Sequence, residues 1–495
     1  LRRKAEVLRL PLLFLNQVIL FFKPVEMFIQ QLYTGCLSEA AYYIESEGEA
    51  AIIDPMRDID SYLQLAATRK ATIKYIFETH FHADFVSGHL DLSKATGAPI
   101  VYGPQTKTRF PVHIAKDGEE FTIGKISIRV LHTPGHTLES SCYLLKDETG
   151  KDHCIFTGDT LFVGDVGRPD LAQQGNELTT ADLAGMLYDS LQKKIIPLAD
   201  DVIIYPAHGP GSSCGKNLGP ETVSTIGVEK QQNYALQAQT KEQFIKAVTE
   251  GLPEPPQYFP INAKINKEGY ESLDKVLEQG MQPLSIEVVR QSLDSDFILL
   301  DSRNAQVFAN GFVPGSVNIG LDGRFAEWAG SLLPFDKPIV LITETGKEKE
   351  TVVRLARVGF EKIKGYLAGG FEAWKEAGEE IDMVIEVEPD ELMMDIPFDT
   401  NLVVLDVRKP AEFAEGHLKD AINIPVEELK DPGSMANLEE HHNIYVHCQS
   451  GYRSMIALSL LKRQGIQNVR NVIGGWNKIR EEEKVEIVKE TAVLN

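Results

Sequence analysis

The strongest constraint on the fold is a repeat in the second half of the chain. Leu299-Leu300-Asp301-Ser302-Arg303 recurs as Val404-Leu405-Asp406-Val407-Arg408, Phe308-Ala309-Asn310-Gly311 as Phe413-Ala414-Glu415-Gly416, and Val317-Asn318-Ile319 as Ile422-Asn423-Ile424. The offset is 105 residues at every one of these positions, and both copies end in Gly-Gly-aromatic, Gly369-Gly370-Phe371 and Gly474-Gly475-Trp476. Each copy opens with an apolar strand-like run and continues into helical spacing, so residues 283–380 and 381–495 are read as two α/β units of one design.

The copies differ where chemistry is expected. In the second, the apolar run Ile444 to His447 leads into Cys448-Gln449-Ser450-Gly451-Tyr452-Arg453-Ser454 and then a helical stretch from Met455 to Arg463. A cysteine at a strand end, wrapped by a loop that opens a helix, faces several backbone N–H groups and the positive helix end, which favour a thiolate or persulfide. In the first copy, counting back from Gly359 and Gly465 sets Ile342 opposite Cys448, and Thr343 to Lys349 holds neither a thiol nor a Gly-x-Arg. That copy reads as a spacer or docking platform.

Upstream, apolar runs repeatedly end in potential metal ligands. Thr79-His80-Phe81-His82-Ala83-Asp84-Phe85 follows Ile73 to Phe77, and Pro134-Gly135-His136 comes next. Thr157-Gly158-Asp159 then follows Cys154 to Phe156, and Pro206-Ala207-His208 follows Val202 to Tyr205. Strand alternation would point His80 and His82 the same way, toward one ion. Two glycine-bearing loops accompany the set. Arg168, in Gly164 to Asp170, is expected at the pocket mouth facing an anionic substrate, and Cys214 is a thiol placed to hold or relay sulfur.

The ordered histidines and aspartates of residues 27–245 resemble the metallo-β-lactamase fold, with Phe85 standing where that family has a further histidine ligand. The closer resemblance is to its persulfide dioxygenase branch. It implies one Fe(II) per chain, held by His80, His136 and Asp159 as a facial triad with open positions. His82, Asp84 and His208 would then stand behind these ligands, orienting them or hydrogen-bonding bound oxygen. The repeated units resemble rhodanese domains in the Asp-x-Arg strand, the Gly-His-x-x-x-Ala-x-Asn-Ile stretch and the Cys448 loop. This makes Cys448 the persulfide carrier and Arg453 the group that binds an anionic sulfur donor or acceptor.

The expected architecture is α/β: an N-terminal metallo-β-lactamase αββα sandwich followed by two rhodanese-like α/β domains. The expected activity is O₂-dependent oxidation of a low-molecular-weight thiol persulfide to sulfite, coupled to thiosulfate formation at Cys448. One rival is a zinc-dependent thioester hydrolase of the glyoxalase II type. Another is a sulfur carrier or sensor with a vestigial metal site.

Length and composition agree with this. A chain of 495 residues accommodates three domains. A net charge of −22 argues against nucleic acid or anionic membrane as a partner. Five cysteines do not make a disulfide framework, and they suit a reducing cytoplasm. A homo-oligomer is expected. The proline-rich stretch from Glu250 to Pro260 opens a linker, 251–282, after a first domain at 27–250. Residues 1–26 are read as an extension outside the fold. Their apolar run Leu10 to Phe22 looks superficially like a signal peptide, but Pro11, Asn16 and Gln17 interrupt it.

Overall fold

The computed structural model describes residues 27–171, 178–293, 296–436, 438, 441–483 and 485–490. The reading of residues 1–26 as an extension lies outside the described residues.

The first domain is built on two six-stranded sheets. One runs Phe28–Thr34, Glu39–Ser46, Glu49–Ile53, Thr72–Phe77, Ile100–Tyr102, His113–Ile114, and the other Ser224–Thr225, Ile203–Pro206, Asp152–Gly158, Ser141–Lys146, Ile126–His132, Glu120–Ile123. Local sequence sets the hairpins. Ser46 pairs with Glu49 across Glu47-Gly48, both at positive φ, as a tight hairpin turn requires. Ile123 pairs with Ile126 across Gly124-Lys125.

The strand Glu39–Ser46 shows how period-2 alternation builds the layers. Ala40, Tyr42 and Ile44 enter the core between the sheets, with Phe77, Tyr143 and Phe156. Ala41 and Tyr43 enter a second core under the helix Asp60–Arg69. A third core lies on the far side of the other sheet, where Leu144, Ile155 and Ile204 meet Leu187 of the helix Thr180–Ser190. Burial on both faces of a sheet requires the near-continuous apolar strands seen in the sequence. Each fully buried large apolar side chain contributes about 1.5–3 kcal/mol.

The two repeated units have one topology. Parallel five-stranded sheets run Pro283–Leu284, Ile363–Leu367, Ile339–Ile342, Ile298–Asp301, Val317–Asn318, and Ile385–Val387, Val469–Val472, Asn443–His447, Leu402–Asp406, Ile422–Asn423. The Asp-x-Arg motifs match bond for bond. Nε and Nη2 of Arg303 and Arg408 clasp Asp301 and Asp406, and Nη2 also donates to the carbonyls of Gly311 at 3.0 Å and Gly416 at 2.8 Å.

One alignment from the sequence needs correction. Asp301 pairs with Ile342, whereas Asp406 pairs with His447. Thr343, not Ile342, therefore occupies the position of Cys448, and Gly370 and Gly475 lie over the carbonyls of Thr343 and Cys448 respectively.

The connector is not a bare linker. Within it, the helix Phe259–Glu268 places Asn266 against the metal-motif loop, where its Nδ2 donates to the carbonyls of His82 and Phe85, both at 2.8 Å, and its Oδ1 accepts from Ser87 N. The first repeat braces the same loop, since Val86 N donates to Arg357 O at 2.7 Å while Arg357 pairs with Asp58. Among the described residues no helix is long and apolar enough to cross a membrane.

Candidate functional site

Four strand ends of the first domain converge on one buried cluster. Thr72–Phe77 is followed by Glu78, Thr79 and His80, Asp152–Gly158 by Asp159, and Ile203–Pro206 by Ala207 and His208, while His136 follows Ile126–His132. His80, His136 and Asp159 present donor atoms within 4.8 Å of one another. Asp159 Oδ2 lies 3.7 Å from His80 Nε2 and 3.4 Å from His136 Nε2. An ion about 2.1 Å from each of two donors separates them by roughly 3.0–3.4 Å at octahedral or tetrahedral angles. The His136 spacing lies at the upper end of that range and the His80 spacing, 3.7 Å, slightly beyond it, so a small closure of the cluster would seat one divalent ion.

Hydrogen bonds fix which ring nitrogen faces that ion. The carbonyl of Arg168 can only accept, so His136 Nδ1 donates to it at 2.8 Å and leaves Nε2 with a free lone pair. His208 Nδ1 donates likewise to Ser38 O at 3.2 Å. Thr79 Oγ1 donates to Asp54 Oδ2 and takes the His80 Nδ1 proton at 2.9 Å. Burial pushes the His80 imidazole well below the usual histidine range, aided by the neighbouring His82, His136 and His208, and so keeps it a neutral ligand. Both Asp159 oxygens are buried with no hydrogen-bond partner. Such a carboxylate is costly unless a cation faces it. The residues present fit a metal ion.

Gly167 explains part of the packing. A Cβ there would come within 1.9 Å of Asp159 O, so only glycine lets the Arg168 loop cross the ligand strand end.

The other sequence-predicted residues divide. His82 does not share the His80 direction. Its Nε2 lies 3.1 Å from Asp54 Oδ1 and 3.4 Å from Glu78 Oε2, and its ring lies tilted against Phe85 at 4.3 Å. The strand ends at Phe77, so alternation does not extend to these two histidines. Burial disfavours a charge on His82, but Asp54 and Glu78 outweigh it and hold its imidazole well above the usual range. His82 acts on His80 through Asp54 and Thr79 and directly, its ring lying 4.2 Å from the His80 ring.

Asp84 and His208 form a second donor set with Cys214, all buried. His208 Nε2 is 3.4 Å from Asp84 Oδ2 and 3.4 Å from Asp159 Oδ1, so the two oxygens of Asp159 face the two sets. The Cys214 thiol is pushed well up by burial and by the carboxylates of Asp84 and Asp159.

Arg168 is not at a pocket mouth. Its side chain is 1% exposed, clasps Asp170 at 2.7 Å, and donates to Ser213 O at 3.3 Å and Pro253 O at 2.5 Å. Buried and bound through Nε, Nη1 and both Nη2 hydrogens, it is a structural clasp between loops. Its N–H also holds the Cys214 carbonyl at 2.9 Å.

In the second repeat, Cys448 sits between the strand Asn443–His447 and the helix Tyr452–Arg463. Gly451 N donates to its Sγ at 3.1 Å, and Sγ is 3.8 Å from Ser454 Oγ. Arg453 engages Glu412 through both Nη atoms, at 2.6 and 2.7 Å, while its charge also interacts with Cys448. Sequence reasoning missed Asp54, Glu78 and Glu412. A carboxylate closing an apolar strand run was a usable signal for the first two, while Glu412 becomes a partner only through the tertiary fold.

Comparison with known proteins agrees with this geometry. Residues 34–208 match the metallo-beta-lactamase superfamily, and residues 285–377 and 388–482 each match the rhodanese-like domain. A solved metallo-beta-lactamase from Staphylococcus aureus subsp. aureus COL is 33% identical, with a TM-score of 0.61, covering 69% of this chain and 98% of that one. The chain belongs to the metallo-β-lactamase superfamily. It carries that domain first and two rhodanese-like domains after it. Curated relatives include the hydroxyacylglutathione hydrolase of Francisella tularensis subsp. novicida, 34% identical over 34% of this chain, and the cytoplasmic one of Arabidopsis thaliana, 33% identical over 28%. This superfamily member spans 61% and 54% of the lengths of those two proteins.

Proposed function

We propose that the chain oxidises the terminal sulfur of a low-molecular-weight thiol persulfide with O₂ at one Fe(II), and passes sulfane sulfur through Cys448. The balance is RSSH + O₂ + H₂O → RSH + H₂SO₃; the Cys448 thiolate takes the outer sulfur of a second RSSH and releases RS⁻, and sulfite then takes that sulfur from the Cys448 persulfide, giving thiosulfate and the free thiolate. The observation that carries the reading is the pairing, in one chain, of a buried two-histidine, one-carboxylate centre with a rhodanese-like loop that holds a cysteine sulfur on a backbone N–H.

His80, His136 and Asp159 would hold the iron, which when bound activates O₂ beside the substrate sulfur. The chain's own residues do the rest. Arg168 O, Ser38 O and Thr79 Oγ1 keep Nε2 of His136, His208 and His80 unprotonated and aimed inward. Phe85 removes one ligand and, with His82 drawn off to Asp54 and Glu78, leaves the triad with three protein donors. Asp84, His208 and Cys214, buried together on the side faced by Asp159 Oδ1, are the groups a polar sulfur substrate would meet there. At the second centre, Gly451 N–H stabilises the charge that appears on Cys448 Sγ when the persulfide sulfur leaves.

The rival is a zinc-dependent thioester hydrolase. It is favoured by the names of the curated relatives and by the second donor set facing Asp159 Oδ1. Metal content combined with oxygen uptake on several purified persulfides tests the proposal. Iron near one per chain with persulfide-dependent uptake supports it. Two zinc ions per chain with thioester cleavage and no uptake would refute it.

A further inference from the structure

The rhodanese-like repeat without a cysteine does more than separate the other domains. Its turn from Gly320 to Arg324 reaches across to the active loop of the second repeat. Tyr452, the residue after Gly451 and the first of the helix that follows Cys448, lays its ring on this turn. Its hydroxyl donates to Gly320 O at 2.8 Å. A Cβ on Gly323 would stand 2.3 Å from the Tyr452 ring, closer than any side chain tolerates. Gly323 is not in the left-handed region, so backbone conformation does not require a glycine there. What requires it is the ring.

The socket is itself anchored. Leu321 N donates to Ser302 O at 3.2 Å, beside the Asp-x-Arg motif, and Leu321 O accepts from Arg354 Nη1 at 2.7 Å. A second tie joins the same two units, where Asn318 N donates to Ser459 Oγ at 2.9 Å one helical face further on. The turn also continues to the metal domain, since Arg324 Nη2 donates at 2.6 Å to Gly211 O, in the loop that carries Cys214.

We infer that the Gly320–Arg324 turn is a positioning platform for the Cys448 loop, with Tyr452 as the positioning residue and Gly323 as its socket. The loop holds Cys448 Sγ through Gly451 N–H, and Gly451 adjoins Tyr452, so fixing the ring fixes the donor that faces the sulfur. The platform deepens the proposed function, resting on its reading of Cys448 as a sulfur carrier, and explains why a repeat with no thiol is kept against one that has it.

The test uses the full chain, thiosulfate as sulfane donor and cyanide as acceptor. The Cys448 thiolate takes the outer sulfur of thiosulfate and releases sulfite; cyanide then removes that sulfur as thiocyanate and regenerates the thiolate. Gly323→Val fills the socket from the other repeat without altering the Cys448 loop chemically. It is expected to lower kcat for thiocyanate by about 10- to 100-fold, the scale of an ångström-level misplacement. Tyr452→Ala should do the same, whereas Tyr452→Phe, which keeps the ring, should stay within about 3-fold of wild type. Because the two residues act through one contact, the Gly323→Val/Tyr452→Ala double variant should be no worse than either single variant. Oxygen uptake and circular dichroism on the same preparations control for folding. A Gly323→Val enzyme with wild-type kcat, or a double variant reduced by the product of the single effects, overturns the platform. Wild-type protein that forms no thiocyanate overturns instead the sulfur-carrier reading. Iodoacetamide alkylation of Cys448, followed by mass spectrometry, then still decides the platform: a rate changed in Gly323→Val but not in Tyr452→Phe supports it, and equal rates in all variants refute it.

Discussion

Arg168→Met separates a structural arginine from a substrate-binding one. The side chain is 1% exposed and makes four hydrogen bonds that methionine cannot: two to the Asp170 carboxylate and one each to the carbonyls of Ser213 and Pro253. Methionine keeps most of the volume, so the loss is electrostatic rather than a cavity. Breaking a buried ion pair costs about 3–5 kcal/mol. Asp170 is 20% exposed and can rehydrate, which sets the loss near the lower end, about 3 kcal/mol. For a domain of this size each kcal/mol moves Tm by about 2–4 °C, so the first calorimetric transition should fall by roughly 6–12 °C. The Arg168 carbonyl on His136 and its N–H on Cys214 O belong to the backbone, and the substitution keeps them. The KM for persulfide of the folded variant should therefore stay within about 2-fold, since no uniform-binding contact is removed. Scanning calorimetry and oxygen-uptake kinetics on one preparation read both quantities. A Tm within about 2 °C of wild type, together with a tenfold rise in KM, would show that Arg168 faces the substrate and refute the clasp.

Three further outcomes are expected. Asp159→Ala removes the carboxylate whose oxygens face both donor sets, and should abolish oxygen uptake and lower iron content, read by elemental analysis. Cys448→Ser should leave oxygen uptake largely intact and shift the product from thiosulfate toward sulfite, read by ion chromatography, because a serine hydroxyl stays protonated at neutral pH. Burial pushes the Glu327 carboxyl up to about 7, with Arg324 opposing and Asp84 adding to the shift. The folded state therefore holds this proton more tightly than the unfolded chain, and stability falls as pH rises from the ordinary glutamate value to about 7. Glu327→Gln removes that dependence, so it should gain on wild type by about 3 kcal/mol at pH 8 and by nothing near pH 4.5, read as Tm against pH.

Much of the fold was legible because its determinants are local. Glu47-Gly48 and Gly124-Lys125 mark their hairpins by turn chemistry alone, and the Asp-x-Arg repeat fixes two copies of one sheet. The order of the strands depends on which apolar faces meet, which no single window of sequence carries. The connector was likewise underread, because the role of Asn266 exists only once its amide reaches the carbonyls of His82 and Phe85, more than 180 residues upstream.

The site errors share a physical origin. His80, His136 and Asp159 could be read from the sequence because each follows a strand, and strand ends deliver side chains to one rim of a sandwich. His82 could not, because beyond Phe77 the backbone is a loop and periodicity no longer predicts direction. Arg168 was placed by its glycine-rich loop and Arg453 by the rhodanese resemblance, but each guanidinium pairs with a nearby carboxylate. For Arg168 that carboxylate was visible two residues away in Asp170, whereas for Arg453 it was Glu412, brought close only by the fold. The one-residue slip at Thr343 has the same character. Counting back from Gly359 and Gly465 crosses helices of unequal length, Glu348–Arg357 in the first copy and Tyr452–Arg463 in the second, and that difference displaces the alignment by one residue. The 105-residue offset of the Asp-x-Arg and Asn-Ile motifs sets Thr343 opposite Cys448, in agreement with the lateral pairing of Asp301 with Ile342 and of Asp406 with His447.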